Sequence, residues 1–386
     1  MLRFITAGES HGPALTAVID GMPSGLTLTA EAINHDLARR QIGYGRGKRM
    51  DIEKDQAEIL SGVRFAKTLG TPISLLIHNL DWPNWRQKMS AVRTRKYSDI
   101  PITEPRPGHA DLPGALKYDQ KDIRTILERA SARETTTRVA VGAVCRLFLS
   151  AFGVQINSYV TEIGGISIPC SSLDLKTRCI RAEKSDLRCV CPETEIKIKK
   201  RIDACRRKGD SLGGVFEVVA TGLPVGLGSY SQWDTRLDGR LAKAVMSIQA
   251  IKGVEIGLGF ESARISGSCV HDEIFHAANR GFFRKTNNAG GIEGGISNGE
   301  PLIIRAAMKP IATLYSPLHS VDIITKKPVK AAVERSDICR VPSAAVIGEA
   351  MVAMELAAIM LEKFGGDSMR EIKKNYSAYT SHIVKF

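Results

Sequence analysis

The hydrophobic pattern of the chain switches between two periods. Short runs alternate apolar with polar residues, and longer ones repeat every three or four, so strands and helices are expected in turn. Val18-Ile19-Asp20 and Val219-Ala220-Thr221 read as strand ends that run into Gly21-Met22-Pro23-Ser24-Gly25 and Gly222-Leu223-Pro224-Val225-Gly226, the same Gly-x-Pro-x-Gly turn twice. A helical pattern follows each turn, over 30–40 and 235–251, with Gly253 as the stop signal of the second. Gly70-Thr71-Pro72-Ile73 and Gly299-Glu300-Pro301-Leu302 each precede a strand-like apolar run. Long apolar helices are expected over 140–152 and 344–364, after Glu128-Arg129 and Glu334-Arg335, and each ends at a glycine. Ile123, Leu127, Ala130, Val141 and Val144 fall at spacings that make one apolar face, whose role is packing.

The same order of parts occurs twice, which predicts an internal duplication within one domain spanning 1–386, with pseudo-repeats near 1–152 and 211–365. A Cys- and Lys-rich segment joins them. The strand runs are spaced as hairpins and do not alternate regularly with helices, so the expected class is α+β, with antiparallel sheets packed on long helices. A dinucleotide fingerprint is missing, because Gly257-Leu258-Gly259 lacks the third glycine and the strand-to-helix setting.

Composition narrows the function classes. With 386 residues, 43% apolar and 25% charged, the chain has the makeup of a soluble globular protein, and 6% aromatics leaves little for a long base-stacking surface. A formal charge of +13 points to anionic partners without choosing among nucleic acid, membrane and small molecule. Five of the eight cysteines lie between Cys170 and Cys205, but Cys189-Val190-Cys191 has no second close pair and no histidine lies in that stretch, so reduced thiols are expected and not zinc. Glu9, Ser10 and His11 interrupt any apolar signal core, and Glu349 and Glu355 interrupt the longest apolar run. A cytoplasmic location, with no membrane partner, is the expectation.

The chemistry-bearing residues gather in four polar segments flanked by small residues: Gly8-Glu9-Ser10-His11-Gly12, Arg106-Pro107-Gly108-His109-Ala110-Asp111, Ser131-Ala132-Arg133-Glu134 and Arg335-Ser336-Asp337. Small neighbours let backbone and reacting group both approach a ligand. From Arg39 to Arg49 five cations are interleaved with Gly43, Gly45 and Gly47, which suits a backbone folded around an anion. Those residues alone read first as a solvated basic loop, and a short RNA-binding tract carrying Tyr44 is a weaker alternative, since it has one short copy and one aromatic. Arg106, Arg133 and Arg335 add guanidinium forks suited to carboxylate or phosphate. His11 and His109 have the setting of a general acid or base, with a carboxylate close by in sequence. Ser10-His11 invites a hydrolase reading, but no Gly-x-Ser-x-Gly elbow supports it. Asp337, just before a long helix, reads on its own as a helix cap.

Together these segments closely resemble the chorismate synthase family, from Arg3 to about Phe364. Gly8 to Gly12 with Asp20-Gly21-Met22-Pro23, then Glu128-Arg129-Ala130-Ser131-Ala132-Arg133-Glu134-Thr135, then Arg335-Ser336-Asp337 are similar to its three signature regions, in order. Gln232-Trp233-Asp234, Gly290-Gly291-Ile292-Glu293-Gly294-Gly295 and Met308-Lys309-Pro310 add to the match. The resemblance implies a β-α-β sandwich assembled as a homotetramer. It implies a lyase that removes phosphate by 1,4-anti elimination from 5-enolpyruvylshikimate 3-phosphate, and that requires reduced FMN without net redox. It gives His11 the departing phosphate, His109 the reduced flavin, and Asp337 a part in letting the flavin accept the substrate proton. Ser10, Arg40, Arg46, Arg49, Arg106 and Arg133 resemble the family's substrate clamp. Ser131, Ala132, Arg133, Gln249, Ala250, Gly294, Lys309, Pro310, Ile311, Ala312, Thr313 and Arg335 resemble its flavin site. Flavin reduced outside the chain, by a separate reductase or by NADPH-linked chemistry, is favoured, since no extra nucleotide domain is visible. Gln249 stands where the family has asparagine, Ile338 is a mild change, and 166–207 matches poorly, so its cysteines and lysines are expected to be peripheral. The rival readings are a basic RNA-binding protein and a flavin oxidoreductase.

Overall fold

The computed structural model describes residues 1–46, 52–92, 100–169, 173–278 and 281–386. Strands β1 (Arg3–Ala7), β2 (Ala14–Asp20), β3 (Ala57–Ile59) and β4 (Ile73–His78) form an antiparallel sheet in the order β1-β2-β4-β3. The period-two pattern explains its inner face: Leu15, Ala17, Ile19, Ile73, Leu75 and Ile77 are buried, while their neighbours in sequence point the other way. A second sheet takes β5 (Gln155–Ile163), β6 (Ile166–Ser167), β7 (Gly214–Thr221), β8 (Ile251–Ile256) and β9 (Leu302–Met308), in the order β8-β9-β7-β5-β6. Its ladders are antiparallel as well.

The helices are α1 (Ala30–Gln41), α2 (Asp111–Tyr118), α3 (Arg124–Ala130), α4 (Thr135–Ser150), α5 (Leu175–Glu183), α6 (Pro192–Arg207), α7 (Leu237–Met246), α8 (Val341–Phe364) and α9 (Met369–Lys385), besides shorter turns. Helix α4 rests on β2 and α8 rests on β5 and β7, and the two helices pack on each other. Small residues make this possible: a Cβ added to Gly142 would lie 2.3 Å from the Cβ of Ala350, and one added to Gly348 would lie 2.8 Å from the Phe216 ring. Helix α8 is apolar nearly all round because it is buried nearly all round. It is long and apolar enough to cross a bilayer, but its place is this core. The class is therefore α+β.

The two sheets share one plan. With the two-residue β6 set aside, strands in each follow the order first-second-fourth-third, a helix (α1 or α7) comes between the second and third strands, and a long helix (α4 or α8) follows the fourth. The two Gly-Pro turns are clasped alike: Thr68 Oγ1 donates to the Pro23 carbonyl (2.6 Å) and accepts from the Leu26 amide (2.9 Å). Ser297 Oγ does the same to Pro224 (2.7 Å) and Leu227 (2.8 Å).

Two expected elements differ. The helix expected over 235–251 ends at Met246, because Ala250 takes a left-handed φ of 70° and β-branched Ile251, Val254 and Ile256 continue as strand β8. The single face through Ile123 and Val144 belongs to two helices, α3 and α4. The backbone is extended at Ser131 (φ −62°, ψ 141°) and winds as a tight turn over Ala132–Glu134. That break carries Arg133 into the site described below.

Glu349, in the middle of α8, is almost fully buried and accepts from Arg39 (2.8 and 2.9 Å), Arg188 (3.1 Å) and Ser158 (2.6 Å), with Arg146 at 3.2 Å. Burial opposes its ionisation, but Arg39, Arg146 and Arg188 outweigh it and bring its pKa down to about 2 from 4.5. A carboxyl lowered in the folded state stabilises fully above its unfolded pKa and loses that contribution as pH falls through the folded value. Glu349→Ala, which takes the buried counter-charge from Arg39, Arg146 and Arg188 and leaves them only Asp36 and Glu183, is expected to cost about 3–5 kcal/mol. Urea unfolding at neutral pH checks this, and the gap between wild type and variant should narrow as the pH drops from about 4.5 towards 2. Equal stability at neutral pH would contradict the assignment.

Candidate active site

The site is built from loops at the ends of these elements. Gly8, with φ of 105°, ends β1 where a side chain could not fit, since a Cβ would lie 2.4 Å from the Ala14 carbonyl. The loop it opens places His11 against α3. His11 Nδ1 lies 2.9 and 3.0 Å from the two Glu128 oxygens, and its backbone N–H donates to Glu128 Oε2 at 2.7 Å. The ring stacks on Trp85 at 3.9 Å with a 24° interplanar angle. Burial opposes ionisation of Glu128, but the bonds from His11 and the charge of Arg124 hold its carboxyl below the usual range. A carboxylate only accepts, so Nδ1 carries the proton and Nε2 is the nitrogen available to a ligand. Buried Ser10 is fixed beside it, its amide donating to the Glu128 carbonyl at 3.0 Å.

Asn79, at the end of β4, joins this loop to the arginines. Its Nδ2 donates to the carbonyls of Glu9 and Gly12, and its Oδ1 accepts from Arg133 Nε at 3.0 Å. Arg133 also meets Asp55 at 2.5 Å and Glu53 at 3.4 Å. Arg40 shares Asp55 at 3.3 Å and donates to Thr135 Oγ1 and the Ala132 carbonyl. Arg46 lies 3.1 Å from Asp337 and donates to the Arg40 carbonyl at 3.2 Å. Burial pulls Arg40 down to about 9, with Arg133, Arg340 and Arg46 adding repulsion against the attraction of Asp55. Burial likewise pulls Arg46 down to about 10, with Asp337 opposing and Arg340 assisting. Arg49 lies outside the described residues.

Asp337 is not a helix cap. Helix α8 starts at Val341, with Arg340 at the cap position and Pro342 in the first turn, and Asp337 is turned inward, almost fully buried. It meets Arg340 Nε at 2.5 Å as well as Arg46.

The third group is centred on Asp111, the first residue of α2. Its carboxylate accepts from Arg106 Nε (2.8 Å) and Nη2 (3.0 Å) and from His109 Nδ1 (2.6 Å). Burial raises it, yet His109 and Arg106 hold it far below the ordinary carboxylate range. Arg106 Nη1 donates to Thr313 Oγ1 at 2.8 Å, and Lys309 Nζ to the Gly108 carbonyl at 3.0 Å. Ala312 faces Gly108, Pro310 packs close against Gly213, and the Ile311 carbonyl accepts from Ser211. Lys309, Ala312 and Thr313 thus stand by the loop of Arg106 and His109, while Pro310 and Ile311 pack on Gly213 and Ser211.

Beside Arg340 lies a narrow cleft lined also by Ala132, Gln249, Met308 and Ser343. Ser131 Oγ accepts from the Arg133 amide at its rim, and the Ala250 carbonyl accepts from the Lys309 amide. Gln249 Nε2 donates to Glu134 at 2.9 Å, but its Oε1 is buried without a partner. That buried acceptor fits an N–H donor on a bound heterocycle. Two expected flavin residues sit elsewhere. Arg335 is half exposed and reaches Asp81 at 3.1 Å, which also accepts from Trp85 Nε1, so it belongs to the His11 side. Gly294 sits at the tip of the Ile292–Ser297 hairpin, its carbonyl accepting from Arg236 at 3.3 Å.

Sequence reasoning gave no role to Glu128, Asp111, Asp55, Asn79, Trp85 or Arg340. Glu128 and Asp111 stood inside quoted motifs, where a carboxylate next to a candidate histidine was the available signal. Asp55, Asn79 and Trp85 carry none, since their partners lie far away along the chain, as with Asn79 and Arg133, whereas Arg340 stands three residues after Asp337.

The family model for chorismate synthase matches residues 2–361. The chorismate synthase of Geobacter sulfurreducens is 59% identical over 393 residues, covering 100% of both chains. That of Aquifex aeolicus is 57% identical over 397 residues, covering 100% of this chain and 99% of its own. A crystal structure of chorismate synthase superposes with a TM-score of 0.81 at 48% identity, covering 100% of this chain and 99% of that one. Loops that converge on one cation-rich cleft and a full-length match to one family agree, and the chain belongs to the chorismate synthase family of lyases.

Proposed function

We propose that this chain eliminates phosphate from 5-enolpyruvylshikimate 3-phosphate to give chorismate, with reduced FMN bound and no net redox. The observation that carries the reading is the set of four arginines, Arg40, Arg46, Arg133 and Arg340, gathered around Asp55 and Asp337, with two of them held below their ordinary pKa by burial and mutual repulsion. Such a cluster gains most from a ligand carrying several negative charges. Buried guanidinium groups suit a small polyanion, whereas a nucleic-acid backbone needs them on the surface.

Phosphate departure builds negative charge, and preorganised cations stabilise it most where water is excluded. Arg40, Arg46 and Arg133 supply those cations. His11 Nε2 gives the departing phosphate a proton while Glu128, on Nδ1, balances the ring's positive charge and Trp85 fixes its plane. Reduced FMN, when bound, supplies the electron-rich ring and the proton acceptor that a 1,4-anti elimination requires. Ala132, Gln249, Ala250 and the 309–313 stretch would hold it, with His109 free to hydrogen-bond it. Asp337 would sustain proton acceptance by keeping a carboxylate at that end of the cleft.

The shared strand order and the paired Thr68 and Ser297 clasps support an internally duplicated β-α-β sandwich, in which the second unit starts at β5. Family resemblance supports a cytoplasmic homotetramer that takes flavin reduced elsewhere. Arg46→Ala should weaken binding of 5-enolpyruvylshikimate 3-phosphate by roughly 1.5–3 kcal/mol, the loss of one charge-assisted contact. Calorimetry measures it, and unchanged affinity together with tight RNA binding would overturn the reading.

A further inference from the structure

Helix α6 lies in the stretch that matches the family pattern poorly, and from sequence it was expected to be peripheral. Its inner face is core: Ile198 and Ile202 are fully buried and Cys205 nearly so. That face also grips the loop before Arg46. Gly45, at φ of 81°, approaches so closely that a Cβ there would lie 2.8 Å from Ile202 Cγ2. The Tyr44 hydroxyl donates to Asp203, 3.0 and 2.9 Å from its two oxygens, and this bond holds the phenol above its usual pKa. Lys199 and Arg206, on the same helix, stand over the Tyr44 ring at 5.4 and 5.8 Å, and Arg206 also reaches Asp203 at 3.3 Å.

The grip extends to the other side of the cleft. The Gly45 carbonyl accepts from the Ile338 amide at 2.9 Å, and the Ile338 carbonyl accepts from the Leu212 amide at 2.8 Å, just beyond the end of α6. Arg46 and Asp337, the ion pair at 3.1 Å, are the residues next to those two backbone contacts. We propose that Tyr44 and Asp203 form a latch through which helix α6 positions Arg46 and Asp337 for the phosphorylated substrate. Both are positioning residues. They touch no reacting atom, and a poorly matching helix thereby becomes a determinant of substrate affinity.

The latch rests on the functional reading above, so its test has two readouts. In steady-state turnover of 5-enolpyruvylshikimate 3-phosphate by the full chain with reduced FMN, Tyr44→Phe and Asp203→Ala are each expected to raise KM by about three- to tenfold, as for one lost ordinary hydrogen bond, with kcat within about twofold. Asp203→Asn, which can still accept from the hydroxyl, should stay near wild type, and the double variant Tyr44→Phe/Asp203→Ala should be no worse than either single one. Hydrogen exchange at the Ile338 amide reads the same latch without activity and should quicken in Tyr44→Phe and Asp203→Ala but not in Asp203→Asn. If the wild-type chain fails to turn over this substrate, the functional reading fails and the exchange result still decides the latch. Unchanged KM and unchanged exchange in both disruptive variants, or additive effects in the double one, would overturn it.

Discussion

Asp337→Asn is expected to lose about 10²–10⁴-fold in turnover, the range of a positioned acid or base group, and to do so at saturating substrate. Asparagine has nearly the shape of aspartate and caps helices about as well, so a capping residue would tolerate it. Asp337 does not cap: it is buried between Arg46 and Arg340, and neutralising it leaves both cations facing the cleft without their counter-charge. Stability of the free variant should therefore fall by roughly 1–3 kcal/mol. Inorganic phosphate, by replacing the missing charge, should restore part of that loss. A thermal melt with and without phosphate, beside the rate of phosphate release, checks both. Restored stability with rates still low separates the chemical role from the structural one, and wild-type turnover would show that the carboxylate is dispensable.

His11→Ala has the other large expected effect. The imidazole is held on three sides, by Glu128 at Nδ1, by its own backbone bond to the same carboxylate, and by the Trp85 face. A group so constrained pays its ordering cost during folding and meets the substrate already aimed. Its loss should cut kcat by about 10²–10⁴-fold and leave KM and FMN affinity nearly intact, because it acts mainly as the phosphate departs. His109 is fastened to Asp111, which Arg106 also holds, beside Lys309, so the two histidines should fail differently. His109→Ala should change the absorbance of bound reduced flavin, and His11→Ala should not. Identical spectra and full activity in both variants would refute this division.

The glycine-flanked motifs were readable because the need for close approach leaves a local mark. Gly8 and Gly45 sit where a side chain would collide, and the reactive residues stand beside them. The long apolar helices and antiparallel strands were readable from period. The ion pairs were not, since nothing at Asp55 indicates that it will stand between Arg40 and Arg133. Asp337 reads on its own as a cap, and only the family resemblance gives it a catalytic part, because a carboxylate four residues before a helix looks the same whether it turns toward the helix or toward an arginine. Helix α6 reads as peripheral for a related reason. Its abundant lysines and arginines dominate the pattern, while the contacts that matter come from Ile202 and Asp203 on its inner side. The break at Ser131 was hidden because the apolar spacing continues across it, yet it is what turns Arg133 into the cleft.

Phosphate release from 5-enolpyruvylshikimate 3-phosphate under strictly anaerobic conditions, followed with and without reduced FMN, tests the central claim most directly. The expected result is release of phosphate and chorismate in equal amounts, through many turnovers per flavin, with the flavin still reduced at the end and no release when it is omitted. Equal release without flavin, or oxidation of one flavin for each product formed, would contradict the account.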